Sequence, residues 1–197
     1  MPTALILGGV NGAGKSTLAR ALLRIPQLRG REFLNADILA ARLRRERPDL
    51  TEVAANFLGL RMVAEGHDRH LAARTSFVSE TVLANAAYRT LCERAVAVGF
   101  RVELVYVAIR SVEESVARVR LRVAMGGHDV PEKDIRRRWD LSHANLAWFA
   151  RHAHVVRVYD NSVHGRRPVL VAQAMGGRVA FCRAENLPAV ARALAGA

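Results

Sequence analysis

A chain of 197 residues, 51% hydrophobic and 24% charged, is long enough to bury a full core in one globular domain, which excludes a disordered or fibrous chain. Its longest apolar runs, such as LVYVAI at 104–109, fall far short of a membrane span. The net charge of +12 is almost wholly arginine, since Lys15 and Lys133 are the two lysines, and such a field draws anionic partners, nucleotides included.

The opening MPTALILGG has neither a basic leader nor a cleavage pattern, so no secretion and no membrane partner are expected. Aromatic residues are 6% and do not interleave with the basic runs, which places nucleic acid behind small anions as a partner. Cys92 and Cys182 stand alone, without C-x-x-C or histidine spacing. They suggest neither a disulfide framework nor a zinc site, and the cytoplasm is the expected compartment.

In chain order, TALILGG reads as a buried first strand, followed by a glycine loop and a helix from about Lys15 to Leu23. REFLNAD reads as a second strand and ILAARLRRE as the helix after it. Val53, Phe57, Leu60 and Val63 recur at helical spacing and predict a longer helix around 51–73. SFVSE is a short strand, ANAAYRTLCERAVAVG a helix closed by Gly99, and RVELVYVAI the next strand. Two helices then flank GGHDVP, HVVRVYD supplies a further strand, and PVLVAQAMGGRVAFCR reads as a hairpin around Gly176–Gly177 before a short last helix. Strands alternating with helices predict an α/β fold, a mostly parallel sheet sandwiched between helices, in one domain over 1–197.

The stretch GGVNGAGKST at 8–17 contains G-x-x-x-x-G-K-S between a strand and a helix. Gly9 and Gly14 let the backbone turn so that successive N–H groups point at phosphate oxygens, and the helix adds its positive end. Lys15 supplies a point charge for the β- and γ-phosphates, Ser16 is the expected Mg²⁺ ligand, and Thr17 supports the turn. Gly9, Asn11, Gly12, Ala13, Gly14, Lys15, Ser16 and Thr17 are therefore the nucleotide-binding set, with ATP and Mg²⁺ as cofactors.

Phosphoryl transfer also needs a carboxylate for the acceptor and cations over the migrating group. Asp37 lies just beyond the second strand, where it can accept the proton of an acceptor hydroxyl; it can equally be the N-cap of a helix beginning at Ile38. Glu80 ends the third strand and can orient the acceptor or hold Mg²⁺ through water, with Thr81 beside it. Its plainer reading is a solvated acid in a first helical turn. Arg118 and Arg122, four apart, share one helix face, while Gly126–Gly127 ends that helix. Asp129, Pro131 and Glu132 resemble a capping box for a second helix bearing Arg136, Arg137 and Arg138. Two arginine-bearing helices on a glycine joint, about residues 111–150, suit a lid that excludes water; they also suit two solvated basic faces.

GGVNGAGKST, FLNAD, ETVLA, ARVRLRVAMGGHDVP and VYDNS, in that order over about residues 3–162, resemble the zeta-toxin family of P-loop kinases, in particular its short members. The resemblance implies a P-loop NTPase fold and transfer of the ATP γ-phosphoryl to a hydroxyl of a small molecule. UDP-N-acetylglucosamine is the acceptor in characterised members. It further implies Asp37 as catalytic base, Lys15 and Ser16 as phosphate and magnesium contacts, and Glu80 and Thr81 as acceptor contacts. Arg118 and Arg122 become lid arginines, with His128 or Arg138 as a second lid cation, and an antitoxin becomes a candidate partner. Two rivals stay open: a polynucleotide or nucleoside kinase, and a nucleotide-binding switch without transfer.

Overall fold

The apolar run Thr3–Gly9 forms strand β1, the middle one of the five parallel strands. The computed structural model describes residues 1–127 and 129–196. Strands β2 (Glu32–Leu34), β3 (Phe77–Glu80), β4 (Arg101–Ala108) and β5 (Val155–Asp160) run parallel with β1 in the spatial order β2-β3-β1-β4-β5. The tail folds into the expected hairpin, β6 (Val169–Met175) and β7 (Arg178–Cys182), which extends the sheet antiparallel beyond β5. Helices α1 (Lys15–Leu22), α2 (Ala36–Glu46), α3 (Glu52–Ala73), α4 (Ala87–Ala97), α5 (Val112–Ala124), α6 (Glu132–His152) and α7 (Pro188–Ala195) link and cover the strands. Among the described residues no helix is long and apolar enough to cross a membrane.

Both faces of the central strands are buried, which is why β1 and β4 read as continuous apolar runs. Successive side chains on a strand alternate between faces, so Ala4 and Ile6 enter one core while Leu5 and Leu7 enter another. The first core gathers α4, the C-terminal half of α6 and α7 through Leu91, Leu146, Phe149 and Val190; the second sits under α1 through Ala19 and under the turn at Pro26–Leu28 through Leu28. Since β1 lies between β3 and β4, the loop after it emerges where the chain switches from one side of the sheet to the other. Open α/β sheets bind ligands in that crevice.

Helical spacing identified α3 but chose the wrong face. Of the four residues that carried it, Val63 is buried, while Val53, Phe57 and Leu60 are 79%, 66% and 59% exposed. The buried stripe is Ala55, Gly59, Val63, Gly66 and Leu71, together with two histidines. The reason is close approach: a Cβ on Gly59 would meet the Ala36 carbonyl oxygen at 2.6 Å. Small residues let α2 and α3 touch along their backbones, and the bulky apolar side chains are left outside. A second departure lies at α4, which starts at Ala87 after a turn held by Asn85, three residues later than expected.

Beneath the active face of the sheet runs a buried polar chain. His67 Nε2 bonds Ser79 Oγ (2.9 Å), Ser79 bonds the Tyr88 hydroxyl (2.9 Å), and Tyr88 donates to the Glu80 carbonyl (3.4 Å). Burial pushes the His67 pKa down from 6.5 to about 4. The unfolded chain therefore binds this proton first, and the stability due to neutral His67 is complete above 6.5 and lost as pH falls through about 4. The contribution is about 3 kcal/mol. His67→Gln keeps a hydrogen-bonding group for Ser79 without the titration, so its acid-unfolding midpoint, followed by circular dichroism, is expected at lower pH than in the parent.

Candidate active site

The loop from Val10 to Gly14 turns back on itself with Gly12 at φ 71° and Gly14 at φ 88°, a region that residues with a Cβ seldom adopt. Gly14 is the N-cap of α1 and supplies no side-chain cap, so the Lys15 and Ser16 N–H groups at the helix start have no intrahelical acceptor, whereas Thr17 N–H already bonds the Gly14 carbonyl (3.1 Å). Lys15 lies at the start of that helix, 8% exposed, with its Nζ donating to the Val10 carbonyl (3.1 Å). Burial holds the Lys15 pKa below the ordinary lysine value. The Glu80 and Asp37 carboxylates pull it back up, and the Arg122 charge adds to the lowering. The structure thus brings Lys15, Asp37, Glu80 and Arg122 into one electrostatic neighbourhood.

Asp37 is not the helix cap. Asn35 is: its Oδ1 accepts from the Ile38 N–H at 3.1 Å, and α2 has already begun at Ala36. Asp37 occupies the first turn, exposed, with no hydrogen bond or ion pair among the described residues. Glu80 likewise departs from its plainer reading. It is the last residue of β3, half-buried, and the next helix opens seven residues later. Ser16 Oγ donates to its two carboxylate oxygens at 3.1 and 3.4 Å. Thr81 is engaged locally. Its N–H donates to the Leu7 carbonyl (3.0 Å) and its hydroxyl accepts from the Leu83 N–H (2.9 Å). That second bond closes a turn in which Leu83 holds φ 60°.

Arg118 faces the phosphate loop from behind. It pairs with Glu114 (2.6 Å) and donates to the carbonyls of Asn161 (2.8 Å), Ser162 (2.9 Å) and Gly12 (3.5 Å). Arg122 is one turn further along α5 and exposed, on the side whose charge Lys15 feels. Gly126, at φ 84°, ends α5 as expected, and Gly127 N–H closes on the Arg122 carbonyl (2.9 Å). The capping box is not formed: α6 opens at Glu132 behind Pro131, which caps nothing with its side chain, and Asp129 is exposed. Val116, Val119, Val130 and Ile135 form a small core of their own between α5 and α6. The far half of α6 belongs to the main core through Leu146, Phe149 and Ala150. Arg138 sits on α6 facing the N-terminal end of α3; His128 lies outside the described residues.

Two further residues shape the loop. Ser115, fully buried, donates to the Asn11 carbonyl (2.7 Å), and Asn161 Nδ2 donates to the Ala13 carbonyl (2.8 Å). Asn161 packs so tightly under Gly14 that a Cβ there would strike it. A strand-ending turn at Asp160–Asn161 is present too, with Ser162 bonded to Asp160 Oδ1 through N–H (2.8 Å) and hydroxyl (2.6 Å). The clamp from Ser115 spans 104 residues and the one from Asn161 spans 148, so nothing local in the sequence marks either.

The site fits a nucleoside triphosphate: an uncapped helix start, glycines in the left-handed region and a buried ammonium all converge. It fits Mg²⁺ as well. Ser16 and Glu80 offer hard oxygens, the ligand type such an ion takes beside phosphate and water. Fold and loop together define a P-loop NTPase of the kinase-like type. The sequence bears this out: residues 5–157 match the family model described as an AAA domain, and the chain belongs to that family.

An uncharacterised protein of Haemophilus influenzae is 27% identical over 136 residues, covering 69% of this chain and 91% of the relative. Among solved structures, the AvrRxo1-ORF1:-ORF2 complex with ATP superposes with a TM-score of 0.70 at 19% identity, covering 94% of this chain and 62% of the other. The PezAT chromosomal toxin-antitoxin system of Streptococcus pneumoniae gives 0.61 at 18%, covering 86% and 70%. This chain thus spans under two thirds of the chain it matches in that complex. At such identities the likeness is one of fold.

Proposed function

We propose that the protein is an ATP-dependent phosphotransferase that moves the γ-phosphoryl to a hydroxyl of a small molecule, in the manner of zeta toxins. One observation carries the reading: Asp37, released from capping by Asn35, lies within the field of Lys15 without a hydrogen bond among the described residues. A solvated carboxylate beside a phosphate-binding ammonium is placed to take the acceptor's proton. The acceptor oxygen bonds to the γ-phosphorus, the bond to the bridging oxygen breaks, ADP leaves, and the hydroxyl proton passes to Asp37. Ser16, with Glu80 behind it, would hold Mg²⁺, which would neutralise charge on the phosphates. Arg122 covers the migrating phosphoryl, and Arg118 positions the loop that holds the donor.

UDP-N-acetylglucosamine is the first acceptor to test. AvrRxo1-ORF1 occurs with AvrRxo1-ORF2 and PezAT is a toxin-antitoxin system, so an antitoxin-like partner belongs to the proposal. The setting proposed is the cytoplasm, where ATP is abundant and Cys92 and Cys182 stay as thiols. A polynucleotide acceptor is less well supported, because much of the arginine surface is already paired with carboxylates, as in Arg42–Glu46, Arg61–Glu65 and Arg136–Glu132. A pure switch leaves Asp37 without a role. Incubation with γ-labelled ATP, UDP-N-acetylglucosamine and a cell extract decides among them. A labelled small molecule is expected; label in polynucleotide alone, or in no product, would overturn the reading.

A further inference from the structure

Helices α6 and α7 are held together by side chains that enter the first core, Leu146 and Phe149 on one and Val190 and Leu194 on the other. Outside that seam the two helices meet through alanines, Ala144 and Ala147 of α6 with Ala189 and Ala193 of α7. Their methyl groups leave a cleft of about 270 Å³. Trp139 and His143, rings one helical turn apart with centroids at 4.7 Å, form an aromatic wall, and Asp140 and Arg192 are the charged residues of the lining. The cleft shares no residue with the phosphate loop, and neither Asp37, Glu80 nor Arg122 lines it.

Three polar groups of this lining are unspent. Asp140 on α6 and Arg192 on α7 are exposed, and neither makes a hydrogen bond or ion pair, with the other or with anything else, among the described residues. The third is His143, 7% exposed. Its Nδ1 bonds the Trp139 carbonyl (2.8 Å), and a carbonyl only accepts, so Nδ1 carries the ring proton and Nε2 a lone pair. That Nε2 is buried with no partner among the described residues. Burial holds the His143 pKa below the ordinary histidine value. The Trp139 carbonyl and the Asp140 charge work against that, while the Arg192 charge adds to it. Both charges of the lining therefore reach a ring that is neutral at neutral pH.

One carboxylate on the first helix and one guanidinium on the second select a ligand class. A simple anion drawn to Arg192 meets the like charge of Asp140, and a simple cation drawn to Asp140 meets that of Arg192. A divalent metal ion would find one carboxylate and one imidazole, again under the arginine charge. A molecule bearing both charges satisfies both residues: its carboxylate fits the planar fork of Arg192, and its ammonium has N–H donors for Asp140 and for an imidazole lone pair. The alanine methyls and the aromatic wall accept an apolar frame, and the volume lies below that of sites for drug-sized ligands. We infer that the α6–α7 cleft binds a small zwitterion, an ammonium and a carboxylate on one aliphatic frame as in a free amino acid, with Asp140 and Arg192 as the residues that read its charges. The inference stands apart from the phosphotransferase reading, since no residue is common to the two sites.

Titration of the full chain, followed through the indole N–H resonance of Trp139, tests it. Leucine, phenylalanine and 4-aminobutyrate serve as probes of two charge spacings, with acetate and ethylamine as single-charge controls. At least one zwitterion is expected to move the resonance to saturation, and the controls to leave it in place at the same concentration. Asp140→Asn and Arg192→Gln, both at exposed positions, should each weaken binding by about tenfold or more, the scale of a lost hydrogen bond to a charged group. Arg192→Lys should recover part of that loss, and Ala144→Phe, which fills the cleft, should abolish binding. The site is overturned if no zwitterion moves the resonance up to about 10 mM, an affinity too weak to call a site. It is equally overturned if the controls bind as well as the zwitterions, or if Asp140→Asn and Arg192→Gln bind as the parent does. Zwitterion binding without phosphoryl transfer would keep the cleft and remove the kinase; transfer without zwitterion binding would do the reverse.

Discussion

Asp37→Asn is expected to bind ATP within about twofold of the parent and to lose phosphoryl transfer by about 10²–10⁴-fold, the range for removing a general base. The separation follows from the geometry. Asp37 is on α2 and contributes no hydrogen bond to the phosphate loop, whose shape is fixed by Asn161, Ser115 and Arg118. Its amide isostere leaves the helix intact, because the cap is Asn35. The charge of Asp37 does reach Lys15, so a small change in ATP affinity is allowed for. Initial rates against acceptor and ATP concentration, with equilibrium ATP binding, check both halves. Turnover within tenfold of the parent would take Asp37 out of the chemistry. A loss of ATP affinity matching the loss of rate would make it a donor-site residue instead.

How Asp37 came to be ambiguous in the sequence illustrates what sequence can and cannot carry. LNADILA offers two residues suited to cap one helix, and a single position decides which is spent on the backbone. The strands and the phosphate loop were legible because their signals are local: continuous apolar runs, glycines at fixed spacing, and a lysine where the loop needs one. The faces of α3 were not. Periodicity weights bulky apolar side chains, but the helix packs through Gly59 and Ala55 because backbone contact with α2 excludes anything larger. Arg118 was legible as a neighbour of Arg122 on one helical face, yet besides Glu114 on its own helix its partners are the distant carbonyls of Gly12, Asn161 and Ser162. Such partners are set by the sheet order β1-β4-β5, which juxtaposes the loops after those strands, and no local pattern encodes that order.

Lys15→Met should weaken ATP binding by up to roughly a hundredfold while leaving the unliganded protein as stable as the parent, or more so. In the unliganded fold the Lys15 ammonium is 8% exposed and has one hydrogen-bond acceptor among the described residues, the Val10 carbonyl. A buried cation with so little compensation costs free energy, and its lowered pKa is the sign of that cost. Methionine fills similar space without the charge, and the Val10 carbonyl keeps the Ala13 N–H (3.3 Å). Against triphosphate the balance reverses: loss of a charged hydrogen bond costs about 1.5–3 kcal/mol, or roughly a hundredfold in affinity at its upper end. The pH dependence has a definite sign. The folded, unliganded protein releases the Lys15 proton more readily than the unfolded chain. Its stability therefore gains as pH rises from the lowered value towards 10.5, a gain that Lys15→Met lacks. ATP needs the protonated form, so binding at alkaline pH should take up a proton, read as a buffer-dependent heat in calorimetry. A variant that melts well below the parent without ligand, or binds ATP within tenfold of it, would show that the buried ammonium holds the loop together instead of being held in reserve for phosphate.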